Sequence, residues 1–522
     1  MLLYLLLLTQ QYSGDGMRWY AMITGDAPLQ LGGTARLLYP PLARLYFYLA
    51  HDILGLPASF ALAQSMNALF GGAGIACLAY ILFSFTRRWS LALGGAAALA
   101  CSLAYSLHAT DMTEPMPGVF LSLLALAFSV AYVTWTTPPR WLVMAAGASV
   151  GLGASIYQSN ALTVVTVGAI LFLCDAGAPR SRRLVNLLLC VAVAGAVALS
   201  LYVDAFLVTG SARTLPEAVA QSLKTEAETT QGIYAEISLR RVGVLIFGLG
   251  EALFGLRAIG GKSTHFFSQG LTPEVAWTVG LVAWSVATVA LIFAPYAIRC
   301  AKLSDKGQRT VVAGLIGLLP GLCLLIYWGA RYSKLWMMPL ATLLIVLVVL
   351  THEGLEQRAR FMRTVFWAGL VVPVVFYGLL FNMVAGRITP NLGMQDTLDI
   401  AELLSSRDLI ISDWGGTPYL IPSRPHSLSL VGVALEAQLN ADDVQAQIQK
   451  EIEATVQRGG DVYFYLLLDL SEEEWNISLG QRVKLPYALL DDCRKNATPV
   501  MQLRLQTTFG RPLYLWKLNV NK

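Results

Sequence analysis

Long apolar runs separated by short polar loops fill the chain from its first residue to about Ala385. A helix that crosses a bilayer needs about 20 mostly apolar residues. Runs of that kind predict membrane helices at Ala58–Phe85, Leu91–Leu107, Pro117–Trp135, Trp141–Ile156, Ala161–Cys174, Leu184–Val208, Val275–Ile298, Val311–Trp328, Leu335–Leu350 and Thr364–Ala385. Met1–Leu8 is apolar but spans only about half a bilayer at ~1.5 Å per residue. It reads as the end of a span whose beginning is missing. A signal peptide would need a basic n-region and a small-residue cleavage site, and it has neither. With this fragment the pattern predicts eleven spans. Val242–Leu256 is apolar but short, contains Glu251 and is flanked by Arg240, Arg241 and Arg257. It is read as an interfacial helix. No repeat that would mark duplicated halves is visible.

The pattern changes at Arg387. Charge density rises, and Asp408–Ser412, Asp461–Leu468, Met501–Leu505 and Leu513–Leu518 read as strands. Ala441–Gln457 reads as an amphipathic helix opened by Asn440. The predicted fold is therefore an all-α polytopic membrane domain over residues 1–386, followed by a small α/β domain over 387–522.

Lys and Arg in short loops orient the spans. One set of loops carries Arg87 and Arg88, then Arg140, then Arg180, Arg182 and Arg183. It continues with Arg299, Lys302, Lys306 and Arg309, then Arg358, Arg360 and Arg363. The alternate short loops are nearly bare. The first set is read as cytoplasmic. The loops Gln10–Pro57 and Thr209–Glu274 and the whole tail from Arg387 then face out, into the periplasm if the membrane is a bacterial inner membrane.

Composition agrees with a membrane protein. Of 522 residues, 56% are hydrophobic and 13% charged, and the mean hydropathy is +0.57. Soluble domains run nearer a quarter charged. A soluble enzyme, a disordered chain and a nucleic-acid binder are excluded. The net charge of +4 is too slight to imply a polyanionic partner. Seven scattered cysteines, with no CxxC and no Cys/His cluster, imply neither a disulfide framework nor a thiolate metal site.

Polar residues of chemical interest gather at the outward ends of the spans. Ser13-Gly14-Asp15-Gly16-Met17-Arg18-Trp19-Tyr20 follows the first span, with Asp15 at the membrane surface; a helix N-cap is its plain reading. A second aromatic amphipathic stretch, Leu37–Leu54, enters through Pro40 and Pro41. The next outward loop reads His108-Ala109-Thr110-Asp111-Met112-Thr113-Glu114-Pro115. Its two carboxylates could hold a divalent cation, orient a hydroxyl or act as a base. Taken alone, Thr110, Asp111 and Thr113 are better read as ordinary helix-start residues ahead of Pro115 or Pro117. Tyr157-Gln158-Ser159-Asn160 suits either a headgroup pocket or a tight turn between spans. Arg331-Tyr332-Ser333-Lys334 runs against the orientation bias. Its basic pair suits either a lipid phosphate or interfacial anchoring.

Two motifs are set aside. Leu256–Ser263 has Leu256 where a phosphate-binding loop needs Gly, and no strand leads into it. Asn476-Ile477-Ser478 and Asn496-Ala497-Thr498 match the glycosylation sequon, which occurs often by chance.

A short first span, an acidic residue just after it, two interfacial helices, acidic residues in the second outward loop and an outward C-terminal domain form one pattern. In order and sidedness it resembles the GT-C membrane glycosyltransferases, which include lipid A aminoarabinose transferases and protein O-mannosyltransferases. The resemblance covers roughly Gln10 to Arg387. It implies that Asp15 is the base, assisted by Asp111 or Glu114. It also implies that Arg331 and Lys334 bind the lipid phosphate, with Arg18, Tyr20, His108, Tyr157 and Gln158 as further substrate-binding candidates. The adjacent Asp-Glu pair usual in that family is absent, since Gly16 follows Asp15.

The implied activity is inverting transfer of a sugar from a polyprenyl-phosphate donor to a glycan, lipid or protein acceptor at the outer membrane face. No nucleotide site is needed, and a divalent cation is the one candidate cofactor. The alternative is a secondary transporter or lipid flippase. Transporters place ionisable residues near the bilayer midplane. Here Asp175 and Asp204 lie near span ends, and Glu251 lies outside the spans.

Overall fold

The computed structural model describes residues 1–10, 14–24, 37–208, 212–222, 239–254, 273–297, 303–328, 333–353, 356–388, 392–412, 426–430, 441–465, 468–469, 471–472, 487–506 and 512–519. The first part is helical. Six helices are long and apolar enough to cross a membrane: Phe60–Thr86, Pro115–Thr134, Arg180–Val208, Asp305–Tyr327, Ser333–Glu353 and Arg360–Ile388. The chain is thus a multi-pass membrane protein. Trp89–Cys101 and Leu103–Thr110 make a seventh span if they are counted together, and they meet at a bend of 65°. Trp141–Ile156 and Gln158–Cys174 are apolar helical stretches shorter than a full span, and Gly280–Tyr296 is the apolar part of a helix that runs over Pro273–Ala297, 25 residues. Each predicted span contains a helix where it is described, and Leu91–Leu107 is broken at Ser102.

Local chemistry explains several ends. Ser59 caps Phe60–Thr86, its hydroxyl accepting the Leu62 N–H at 3.1 Å. That helix stops at Arg87, whose φ of 54° is left-handed. Pro115 opens its helix in the first turn, where its missing N–H costs nothing. The 65° bend falls at Ser102, whose backbone is extended and whose hydroxyl donates to the Leu99 carbonyl at 2.7 Å. Just before it, the Cys101 carbonyl lies where a Cβ on Gly378 would come within 1.8 Å, so only glycine fits there.

The bend tilts Leu103–Thr110 so that Tyr105, buried and donating to the Gly71 carbonyl at 2.8 Å, locks the segment to Phe60–Thr86. The N-terminal segment is tied to the same place. The Thr9 N–H donates to the Thr110 carbonyl at 3.2 Å, the Gln10 N–H to the Gly386 carbonyl at 2.9 Å, and Gln64 Nε2 to the Thr9 carbonyl at 3.0 Å. The ends of the first and last membrane helices and the His108–Glu114 loop are therefore one assembly.

The Val242–Leu256 prediction corresponds to a helix over Leu239–Phe254. Ala252, Leu253 and Phe254 in its last turn are buried, and the Phe254 ring stands edge-on to Tyr377, 5.9 Å between centroids.

The tail forms a five-stranded sheet of β1 (Leu409–Ser412), β2 (His426–Ser429), β3 (Val462–Tyr465), β4 (Ala497–Gln506) and β5 (Pro512–Leu518), in the order β2-β1-β3-β5-β4. β1 pairs in parallel with β2 and β3, whereas β5 runs antiparallel to β3 and β4. Every residue of β1 and β3 is buried, as expected of strands covered on both faces. Ile448, Ile452 and Leu490 from the helices Ala441–Gln457 and Tyr487–Lys495 pack on one face. Ile400 of Leu392–Leu403 packs on the other. β2 and the helices Leu392–Leu403 and Tyr487–Lys495 had no clear sequence signal.

Candidate active site at the outward loop

The loop between Thr110 and Pro115 is held from beneath by Asn67, a fully buried amide on the Phe60–Thr86 helix. Its Nδ2 donates towards the carbonyls of His108 at 3.3 Å, Asp111 at 2.8 Å and Thr113 at 2.7 Å. One amide group thereby faces three carbonyls, that of His108 near the end of the Leu103–Thr110 helix and those of Asp111 and Thr113 in the turn that follows, where no helix or sheet satisfies the backbone.

Held this way, the loop does not use its carboxylates as helix caps. Thr110 and Asp111 end a helix rather than start one, and Asp111 has an extended backbone. Its Oδ1 accepts the Met112 N–H at 2.7 Å, and the residue is 0% exposed. Glu114 stands at the N-cap position of Pro115–Thr134 but makes no cap hydrogen bond. Its Oε1 lies 3.1 Å from Lys334 Nζ, and its Oε2 accepts from Trp19 Nε1 at 3.3 Å. Glu114 is also 0% exposed. The helix-start reading of this loop therefore gives way to a buried ion pair. Such a pair is tolerated only when its charges are well matched and hydrogen-bonded.

The partner helix is gripped at two adjacent residues. His108 reaches the Ser333 hydroxyl through Nε2 at 3.1 Å and the Thr113 hydroxyl through Nδ1 at 2.9 Å. Ser333 and Lys334 open the Ser333–Glu353 helix, so its first turn is docked on the loop by a histidine and a glutamate. The Lys334 ammonium also lies 5.7 Å from the Tyr157 ring centroid, within range of a cation–π contact.

Lys334 lines a half-open cleft with Ser159, Asn160, Thr163, Thr166 and Thr342. The Gln158–Leu162 turn is a short 3-10 helix. In it Asn160 is buried, and its Nδ2 donates to the Gly153 carbonyl at 3.4 Å. Gly118 lets this amide approach, since a Cβ there would sit 2.2 Å from Nδ2. The amides are thus a turn and a cleft wall at once. Gln158 is half-exposed in the same turn.

The aromatic stretch before the first loop belongs to the same assembly. Asp15 and Arg18 lie in the Gly14–Thr24 helix, but their side chains are outside the described residues. Trp19 of that helix is buried, edge-on to Tyr39 at 5.3 Å, and bonded to Glu114. Tyr20 packs against Phe60 and Phe47, at 5.2 and 6.4 Å. Arg331 and Tyr332 are outside the described residues.

The structure therefore brings together His108, Glu114, Tyr157 and Lys334, with Asp111 in the same loop. Sequence reasoning passed over Asn67, Trp19 and Ser333. Asn67 had a signal, as an amide in the middle of a long apolar helix. Trp19 and Ser333 had none beyond their place in the quoted motifs. Among the described residues no three His, Cys, Asp or Glu side chains are placed to hold a metal ion. Of the two carboxylates in this loop, Glu114 has an ammonium beside one oxygen and an indole N–H on the other.

No family model and no curated protein matches the chain. Solved structures do. Over 100% of this chain and 96% of theirs, it is similar to ArnT from Cupriavidus metallidurans bound to undecaprenyl phosphate, at 15% identity and a TM-score of 0.46. The apo state of that protein gives 14% identity and 0.46, over 99% of this chain and 96% of that one. The archaeal oligosaccharyltransferase AglB from Archaeoglobus fulgidus, in complex with an inhibitory peptide and a dolichol-phosphate, gives 10% identity and 0.48. That likeness covers 97% of this chain and 70% of AglB.

Proposed function

We propose that this chain is an inverting membrane glycosyltransferase of the GT-C kind. It moves a sugar from a polyprenyl-phosphate donor to a glycan, lipid or protein acceptor at the outer face of the membrane. The proposed organisation is a membrane domain over residues 1–386, with eleven spans, and an outward α/β domain over 387–522.

One observation carries the reading. The helix containing Asp15 is bonded through Trp19 to Glu114, and Glu114 is paired with Lys334, which lines a cleft of mixed character, with Ser159, Asn160 and three threonines among apolar residues such as Leu162, Leu324 and Met338. A carboxylate-bearing helix and a lysine at a partly apolar cleft suit transfer from a lipid phosphate. The donor is anchored in the bilayer and leaves as a charged phosphate, so base and cation must meet at the membrane edge.

In the proposed step Asp15 takes the proton from the acceptor hydroxyl or amine as that atom bonds to the anomeric carbon. The bond from that carbon to the phosphate oxygen breaks, and its electron pair leaves with the polyprenyl phosphate. Lys334 and Arg331 stabilise the charge that grows on the phosphate. Asp111 and Glu114 assist from the second loop, Glu114 by holding Lys334. Tyr157 and His108 fix the cleft mouth, and Arg18, Tyr20 and Gln158 line the approach of the sugar and acceptor. A divalent cation is the one candidate cofactor, with Asp111 and Glu114 as the carboxylates that would hold it, and transfer measured with and without a chelator tests it.

The test is transfer itself. Membranes containing the protein are given a labelled polyprenyl-phosphate sugar and assayed for label on an acceptor and for released polyprenyl phosphate. Movement of intact labelled lipid or of free sugar across the membrane, without transfer, would instead show a transporter or flippase.

A further inference from the structure

A second cluster of charge lies at the far end of the bundle. The Ser333–Glu353 helix has Lys334 in its first turn and His352 and Glu353 in its last, roughly 27 Å away at 1.5 Å per residue. Three other helix ends meet it there. Arg88 is the N-cap residue of Trp89–Cys101, Lys306 stands in the first turn of Asp305–Trp328, and Arg363 in the last turn of Glu356–Thr364. Gly95 of the first of these packs so closely on Val348 that a Cβ there would lie 3.1 Å from its Cγ2, and the Ser304 N–H, just ahead of the second, donates to Glu353, so the starts of these two helices stand beside the last turn that holds His352.

Among the described residues the acids at this corner, Glu353 and Asp305, each have a partner. Glu353 Oε2 accepts the Ser304 N–H at 2.9 Å. Gly307 packs so closely on Glu353 that a Cβ there would lie 2.6 Å from its Cδ. Asp305 pairs with Arg309 at 3.8 Å. Arg88 and Lys306 are exposed and have no carboxylate partner among the described residues. His352 Nδ1 is buried and has no hydrogen-bond partner among the described residues. Buried ring nitrogens are nearly always paired, so this one asks for a partner. Arg88 makes no side-chain cap bond, and the Trp89–Cys101 helix directs its positive end to the same corner. Orientation alone accounts for basic residues in these loops. It does not account for their convergence, from separate helices, on an unpartnered buried nitrogen.

We propose that this corner binds a phosphate-bearing anion, and that its source is the headgroup of an anionic phospholipid. Arg88 and Lys306 pair with the phosphate oxygens, and His352 donates its Nδ1–H. Basic pockets between membrane helices are suited to such headgroups, and this one sits where helix ends reach the bilayer surface. The site is separate from the transfer centre and shares no residue with it.

Native mass spectrometry of the delipidated full chain tests this, with phosphatidylglycerol, phosphatidylcholine and inorganic phosphate titrated separately. Phosphatidylglycerol should bind at a concentration at least about tenfold lower than phosphatidylcholine. Arg88→Gln with Lys306→Gln should remove roughly tenfold or more of that preference, since each lost charge-assisted contact is large. Both substitutions are at exposed positions, so the unfolding midpoint in lipid-free detergent should not move. His352→Phe, which fills the space without a donor, should weaken phosphatidylglycerol and leave phosphatidylcholine unchanged. Equal binding of the two lipids, or an unchanged preference in the double variant, would overturn the site. Inorganic phosphate saturating these residues at the lipid's own concentration would overturn the lipid as the source.

Discussion

Glu114 and Lys334 are 220 positions apart in sequence and 3.1 Å apart in the fold. Their burial makes the pair asymmetric to mutation. Lys334→Met leaves a fully buried carboxylate without its cation, which should cost about 3–5 kcal/mol. Adding Glu114→Gln removes the stranded charge while keeping an acceptor for the Trp19 N–H, so the double variant should regain most of the loss. Thermal unfolding in detergent reads both, and a double variant no more stable than Lys334→Met would show that the pair does not hold the loop. This bears on the donor. Arg331→Gln with Lys334→Gln should weaken use of the lipid phosphate, and the comparison belongs in the Glu114→Gln background, where loss of fold and loss of charge are separated. Asp15 has the sharpest test. Asparagine keeps the size of aspartate in the first turn of the Gly14–Thr24 helix but takes no proton. Transfer by Asp15→Asn should therefore fall by roughly 10²–10⁴-fold at unchanged expression. Near-normal transfer would leave Asp15 as an acidic residue in the first turn of the Gly14–Thr24 helix, where it is not the N-cap, and Asp111→Asn and Glu114→Gln in the same assay would then locate the base.

At the scale of elements, apolar runs and helix boundaries agree closely. Ala441–Gln457 is a helix over the residues its amphipathic pattern predicts, because its signal is local. The Leu91–Leu107 run shows where that logic ends. It reads as one span, yet the chain bends at Ser102, where the Cys101 carbonyl meets Gly378 from the far end of the sequence. The tail helix Tyr487–Lys495 gives a chemical check on packing. Burial pushes the Cys493 thiol up to about 11, and the neighbouring Asp492 adds to the shift. At pH 8 only about one thiol in a thousand is then ionised. Iodoacetamide should label Cys493 far more slowly in the folded tail than in denaturant. Because the folded state holds this proton more tightly, the thiol's stabilising contribution is complete below its ordinary 9.0 and is lost as pH rises towards about 11. Labelling at equal rates in both states would show the helix is not packed on the sheet.

At the scale of the whole molecule, sidedness decides whether the site can work. Reporter fusions after Arg183 and Arg309 should report cytoplasm, and fusions after Lys262 and Lys522 the outside, as the Lys/Arg asymmetry predicts. A cytoplasmic tail would place Leu239–Phe254 across the membrane and separate Lys334 from the face on which Asp15 stands. What the sequence determined by itself was a multi-span helical body with an α/β tail, and a chain of polar motifs at one set of span ends. Hydropathy and charge act over a few residues, so they are visible in one dimension. The tertiary structure decided which motifs meet. It turned Asp111 from an apparent helix-start residue into a buried group at a helix end, set Asn67 beneath its loop, and gave the buried Glu114 its partners in Trp19 and Lys334. The physical reason is that a buried charge is stable only beside its counter-charge, and that counter-charge lies on a helix whose nearness no local pattern records.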